Sequence, residues 1–289
     1  MRGALRLPER IGAVRMACLT PTQITDNYLS ASVGKATSPL WRLFVLGVAA
    51  GVLIGLGAVS SSTAAHALTD TGMTRLVSGA VFPIGLIMVI LLGTELFTGN
   101  ALMVTAAIAR RITWGQLLRN WVVVYAGNFV GAVALAACMA FFGQLDIGGG
   151  DLAVYTAKVA ANKVGLSWGN AFVLGIFCNI MVCVAVYLCN TGQDTAGRAV
   201  GAYLPIFGFV VAGFEHCVAN MYYIPAGIFA AANPAYAAAI ADAGINVALL
   251  NWGSFITANL VPVTLGNVLG GVLVGVVMYA AHATRPKAD

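Results

Sequence analysis

Charge is what this chain has least of: 9% of its 289 residues are Asp, Glu, Lys or Arg, against 60% hydrophobic. A soluble domain carries about a quarter charged residues, so this chain does not cover itself for water. Metal-binding cysteine pairs are missing too. None of the six cysteines stands in a C-x-x-C pair, and the three histidines, His66, His216 and His282, are scattered. Cys138, Cys178, Cys183, Cys189 and Cys217 fall in or beside apolar runs, where cysteine serves as a small hydrophobe, and a zinc or iron–sulfur centre is not expected. No Gly-rich phosphate loop and no H-E-x-x-H occur, which excludes a nucleotide-driven pump and a zinc protease. With no Ser–His–Asp set in register either, the chain is expected to be no enzyme, to need no cofactor and to bind no nucleic acid. An uninterrupted apolar stretch near the amino terminus is also lacking: Arg10 and Arg15 break it, so a cleaved signal peptide is not expected.

What the chain has is long apolar runs. About 20 helical residues cross a bilayer core, and six segments qualify, at roughly 40–60, 76–110, 114–142, 168–190, 199–231 and 251–281. The net charge of +5 is informative through its placement. With the amino terminus inside, one face carries Arg2, Arg6, Arg10, Arg15, Lys35, Arg42, Arg110, Arg111, Arg119, Arg198, Arg285 and Lys287, and the other only Arg75, Lys158 and Lys163. That asymmetry puts both termini in the cytoplasm. Residues 1–36 read as a cytoplasmic tail plus a short helix, opened by Thr20 as cap and Pro21 in the first turn and ending near Ala36. Met16 is an alternative start. Residues 37–283 form one transmembrane domain with halves at about 37–142 and 163–283, and 284–289 a cytoplasmic tail.

The sequence contains itself twice. FVLGVAAG at 44–51 returns as FVLGIFCN at 172–179, and GTELFTGN at 93–100 as GFEHCVAN at 213–220. Asn120, Gly127, Asn128 and Gly131 return at identical spacing as Asn259, Gly266, Asn267 and Gly270. Each half has three spans, so the second enters the membrane from the opposite side. The fold expected is an all-α, aquaporin-like 3+3 inverted repeat, with segments two and five broken mid-membrane and the pathway where the breaks meet.

Glu95 and Glu215 occupy matching places in those breaks. Unwinding a helix in lipid frees backbone groups that each cost several kcal/mol if unpaired. Gly93 and Gly99 permit the turn, and Glu95, Thr98, Asn100, Glu215 and Asn220 are expected to supply its hydrogen bonds. Both glutamates are read as structural, since a bare carboxylate in the pathway would repel anions. The half-helices restarting after each break point positive ends at the centre, which favours an anion. His216 stands in the second break, placed to donate to, or protonate, whatever passes. Lys163 reads equally as a solvated loop charge or as part of an outer vestibule. Phe82, Phe97 and Phe209 are packing residues by default, yet their places beside the breaks make them candidate constrictions. Asn233-Pro234-Ala235 resembles a water-channel motif, but its partner copy and following arginine are missing, so it is set aside as a loop.

These motifs, with ITWGQLLRNW at 112–121, GNFVGA at 127–132, CNIMVCVAVY at 178–187, GFEHCVANMYYIP at 213–225 and NLVPVTLGN at 259–267, resemble the formate/nitrite transporter family from about residue 20 to 282. The resemblance implies a homopentamer in the cytoplasmic (inner) membrane with one pore per protomer, passing formate, nitrite or hydrosulfide. It implies an outer constriction at Phe82, Phe209 and Leu86 and an inner one at Leu86, Leu96 and Phe209. His216 would be the central polar residue, near Thr98, Asn179 and Val182, and Lys163 a vestibule lysine. Formate coupled to protons is the first reading. Cys217, directly after the histidine, departs from the pattern and could alter pore polarity.

Overall fold

The computed structural model describes residues 18–284. The basic tail with Arg2, Arg6, Arg10, Arg15 and Met16, and Arg285 and Lys287 at the other end, lie outside the described residues.

Among the described residues the regular elements are helices, with one isolated bridge between Cys18 and Gly192. Helix α1, Pro21–Thr37, opens on a capping box: the Thr20 hydroxyl accepts from Gln23 N, and the Gln23 side chain from Thr20 N. Such reciprocal capping satisfies two amides that a helix start leaves unpaired. Helix α2 is Leu40–Ala65, α3 Thr71–Leu91, α4 Phe97–Ile108 and α5 Trp114–Phe141. The second half runs α6, Asp151–Val164, α7, Trp168–Cys189, α8, Thr195–Ala212, α9, Cys217–Ala232, α10, Pro234–Asp242, and α11, Trp252–His282. Six of these, α2, α3, α5, α7, α8 and α11, are long and apolar enough to cross a membrane, and the chain is a multi-pass membrane protein.

Two helix pairs make the frame, α2 on α5 and α7 on α11. Lipid offers no hydrophobic drive between helices, so close backbone approach over small residues holds them. A Cβ on Gly47 would stand 3.0 Å from Val124 O and 3.2 Å from Gly127 Cα, and one on Gly175 2.9 Å from Val263 O and 3.3 Å from Gly266 Cα. Matching glycines in the two halves therefore set matching contacts.

Local irregularities follow from proline. Pro83 lacks an amide, and the regular pairing of α3 lapses there, with Phe82 and Pro83 between its two helical stretches. Pro262 follows a six-residue π-helical stretch, Phe255–Leu260, which turns Asn259 inward. Between the membrane segments, α6 and α10 are helices where the sequence suggested loops. Their apolar faces pack on the bundle, while lengths of 14 and 9 residues kept them below the span threshold. The Asn233-Pro234-Ala235 triplet is the start of α10, not a loop: Asn233 Oδ1 accepts from Ala235 N at 3.0 Å and its Nδ2 donates to Ala140 O at 2.8 Å.

Candidate functional site

Segments two and five are each interrupted. Helix α3 stops at Leu91 and α4 starts at Phe97; α8 stops at Ala212 and α9 starts at Cys217. Gly93 at φ 66° and Gly213 at φ 75° take the left-handed turn that ends each helix, a conformation glycine adopts without a Cβ clash. The crossing strands then dock alike: Glu95 N donates to Leu46 O and Glu215 N to Leu174 O, both at 3.3 Å.

The residues that satisfy the breaks are not the ones the sequence suggested. Asn128 Oδ1 accepts from Phe97 N at 2.9 Å while its Nδ2 donates to Gly47 O at 2.7 Å and Glu95 O at 2.9 Å. Asn267 repeats this with Cys217 N, Gly175 O and Glu215 O at 2.9, 2.7 and 2.9 Å. The carboxylates of Glu95 and Glu215, with Asn100 and Asn220, face the other way. Asn100 Nδ2 donates to Glu95 Oε2 at 2.6 Å and to Asn120 Oδ1 at 2.9 Å. Asn220 Nδ2 donates to Glu215 Oε2 and to Asn259 Oδ1, both at 2.7 Å.

Each carboxylate also holds a lysine. Lys35 of α1 lies 2.8 Å from Glu95, and Lys163 lies 2.8 Å from Glu215. Lys163 is thus neither a loop residue nor a free cation. It sits in the last turn of α6, paired, with Tyr223 beneath it at 5.4 Å. Lys35, read from sequence as one of many cytoplasmic charges, is its counterpart, because α1 folds back and lays Lys35 against the first break. The Tyr28 hydroxyl of α1 donates to Gly99 O at 3.0 Å, and Arg119 closes the end of α1 through Ala36 O and Ser38 O at 3.1 and 2.8 Å.

Pairing has a testable cost. The Glu215 side chain is 6% exposed, and a buried charge stripped of its partner costs about 3 kcal/mol. Lys163→Ala is therefore expected to lower thermal stability. Lys163→Ala with Glu215→Gln is expected to recover much of the stability; a thermal scan of the four-member cycle reads it.

Two cavities approach the breaks from opposite sides. The first, of about 580 Å³, is lined by Lys35, Arg42, Leu86, Glu95, Leu96, Gly99, Asn100 and Arg198, among others. The second, of about 850 Å³, reaches Arg75, Phe82, Asp151, Lys158, Lys163, Phe209, Glu215, His216 and Asn220. Between them stand Leu86, Leu96, Phe82 and Phe209, none more than 4% exposed. The Phe82 and Phe209 rings meet edge-on at 5.7 Å, and Phe209 lies 6.1 Å from the His216 ring.

His216 is the polar group at this layer. Its Nδ1 accepts from Ala219 N at 3.1 Å, capping α9. A ring nitrogen that accepts carries no proton, so in the neutral ring the hydrogen is on Nε2, which lies 2.9 Å from Thr98 Oγ1. Nε2–H donates to Thr98, leaving the threonine's own hydrogen uncommitted. Asn179 Nδ2 bridges Thr98 O and Asn267 O at 3.1 and 2.6 Å, while its Oδ1 has no protein partner.

Five of the sequence candidates line neither cavity: Thr98 and Asn179, both fully buried, join this layer only through hydrogen bonds, and three others pack away from it. Phe97 packs against Tyr125 and Trp121, with ring centroids at 4.8 and 6.1 Å, and lines neither cavity. Cys217, its counterpart in the repeat, is fully buried behind the break and lines neither cavity, so it does not set pore polarity by contact. Val182 is buried in the core and lines neither cavity.

Comparison with known proteins agrees with this architecture. The family model "Formate/nitrite transporter" matches residues 22–281. The formate channel FocA of Haemophilus influenzae is 43% identical over 259 residues, covering 88% of this chain and 91% of that protein. FocA of Escherichia coli is 38% identical over 269 residues, covering 91% and 94%. Among solved structures, a pentameric formate channel with formate bound superposes with a TM-score of 0.73 at 34% identity, covering 84% of this chain and 97% of that one. An ion channel of the same family gives 0.76 at 27%, covering 90% and 99%. The chain belongs to the formate/nitrite transporter family.

Proposed function

We propose that this chain is a channel for small monovalent anions, formate foremost, with nitrite or hydrosulfide as the alternatives within the family. It works as a homopentamer in the inner membrane, with one pathway per protomer, both termini cytoplasmic and the two halves inverted. The observation that carries this is the layer between the cavities: four buried hydrophobic side chains with the His216–Thr98 donor pair beside them. Because Nδ1 accepts from Ala219 N and Nε2 carries the hydrogen toward Thr98 Oγ1, His216 is not set up as a base for that hydroxyl, and the reading is transport.

Magnitudes decide how an anion crosses. Moving a bare carboxylate into a low-dielectric slit costs on the order of 20 kcal/mol in the idealised limit, and several after relaxation. Picking up a proton is cheaper: a carboxyl of pKa ~3.5 is neutral about once in 3,000 molecules at pH 7, a cost of ~5 kcal/mol. Formate gathers in the outer cavity near Lys163, is protonated there, crosses as the neutral acid and releases its proton on the other side. Both nitrogens of His216 are already engaged, so water supplies the proton and the imidazole–threonine pair supplies a hydrogen bond in the slit.

Flux of formate, nitrite and hydrosulfide into proteoliposomes, with and without a pH gradient, tests the reading. Formate uptake is expected to rise as external pH falls, approaching tenfold per unit, and His216→Asn to keep that slope. His216→Leu, which removes the N–H that turns the Thr98 hydroxyl hydrogen toward the slit, is expected to lose about tenfold in rate, the worth of one hydrogen bond of ~1.4 kcal/mol. A flat pH profile in His216→Asn would instead make the imidazole the proton donor.

A further inference from the structure

The inner cavity holds more positive charge than its ion pair uses. Its wall includes Lys35, Arg42 and Arg198 against one carboxylate, Glu95. Lys35 is committed to Glu95 and to Asn100 Oδ1, at 2.8 and 3.0 Å. Among the described residues only two ion pairs form, Lys35–Glu95 and Lys163–Glu215, so neither arginine has a described carboxylate partner. The other described acids on this face are occupied. Asp26 accepts from the Thr284 hydroxyl at 2.8 Å and Asp194 from Gly197 N at 2.6 Å.

Both arginines also stand where a cation is least at ease. Arg42 lies in the opening turn of α2 and Arg198 in that of α8, the positive ends of those helices, where an anion is favoured and a cation is not. Asn27, Ser38 and Asn190 share the same wall and add neutral hydrogen-bonding groups. Two guanidiniums on one cavity wall, neither in an ion pair, leave charged donors available to an oxyanion. The outer cavity differs. There Arg75 and Lys158 share the wall with Asp151, which repels a second negative charge.

We propose that the inner cavity carries an anion site, formed by Arg42 and Arg198, at which a doubly charged oxyanion binds from the cytoplasmic face and blocks the pathway without crossing. The proposal rests on the channel reading above. A monovalent anion at this mouth needs one proton to enter the slit. A dianion needs two, and a sulfate-like ion holds its charge throughout the physiological range, so it stays at the mouth and excludes formate.

Sulfate is the probe, compared at matched ionic strength with a singly charged salt, because general screening weakens any exposed cation. Formate flux is measured with the full chain in membrane vesicles of both orientations. Sulfate on the cytoplasmic face is expected to raise the half-saturating formate concentration by about tenfold, and on the outer face to leave it nearly unchanged. Arg42→Gln and Arg198→Gln are each expected to raise the blocking concentration of sulfate by about tenfold, the loss of one charge-assisted contact. Arg198→Lys is expected to keep part of the block, and Arg75→Gln to leave the inner-face block as it is. Equal block from both faces, or block that survives in Arg42→Gln/Arg198→Gln, overturns the proposal. Formate that fails to cross the wild-type protein overturns the channel reading instead. In that case the site is still read directly: sulfate raises the thermal midpoint of the purified wild type and not of the double variant, and equal shifts in both overturn it.

Discussion

Asn128→Ala is expected to remove most of the protein's stability, and Asn267→Ala to do the same from the other half. Each side chain satisfies three buried backbone groups, one amide and two carbonyls, from two different segments. Alanine leaves all three unpaired at a place without water, at about 1–3 kcal/mol each. The sum, on the order of 5 kcal/mol, rivals the net stability of a typical domain. Asn128→Asp offers no rescue, because it keeps the acceptor, loses both donors and adds a charge. Exposed Asn246, with no side-chain bond to lose, is the control, and Asn246→Ala is expected to stay within about 0.5 kcal/mol of the wild type. Thermal unfolding in detergent, followed by loss of the native peak on size exclusion, reads the difference. An Asn128→Ala protein as stable as Asn246→Ala would mean the breaks are held by something else.

That pair of asparagines also marks the limit of what the sequence discloses. Their spacing, repeated as Asn120, Asn128 and Asn259, Asn267, was legible as a repeat, and so were the two breaks, from glycine and glutamate set in apolar runs. Which polar residue serves which backbone group was not legible. Asn128 lies 31 residues from Phe97 and 81 from Gly47, and separations of that size leave no local pattern. The same holds for the lysines. Lys35 is 60 residues from Glu95, and Lys163 is 52 from Glu215, so each reads locally as a surface charge. Phe97 could have been placed correctly. The repeat aligns Leu96 with His216 and Phe97 with Cys217, so once His216 faces the path, Leu96 shares its side and the next residue in each half turns away. Reading Phe97 by its aromatic type alone hid that register. Helices α6 and α10 escaped notice because their amphipathic faces need the bundle to fold against, and no long apolar run announces them.

Leu86→Trp is expected to stop transport in a protein that still folds. Leu86 lines the inner cavity and is 2% exposed, in the core that also holds Phe82, Phe209 and Leu96. Overpacking costs about 1–3 kcal/mol, which a folded protomer tolerates. The slit proposed above to pass formic acid does not tolerate an indole. Because the obstruction is steric, neither lower pH nor a steeper formate gradient should relieve it. That separates it from His216 variants, whose loss is one hydrogen bond. Formate flux through proteoliposomes of folded Leu86→Trp, eluting on size exclusion as the wild type does, is the most direct measurement of whether the path runs between the two cavities of one protomer. Flux at the level of protein-free vesicles is the result expected; flux equal to that of the wild type would place the path elsewhere.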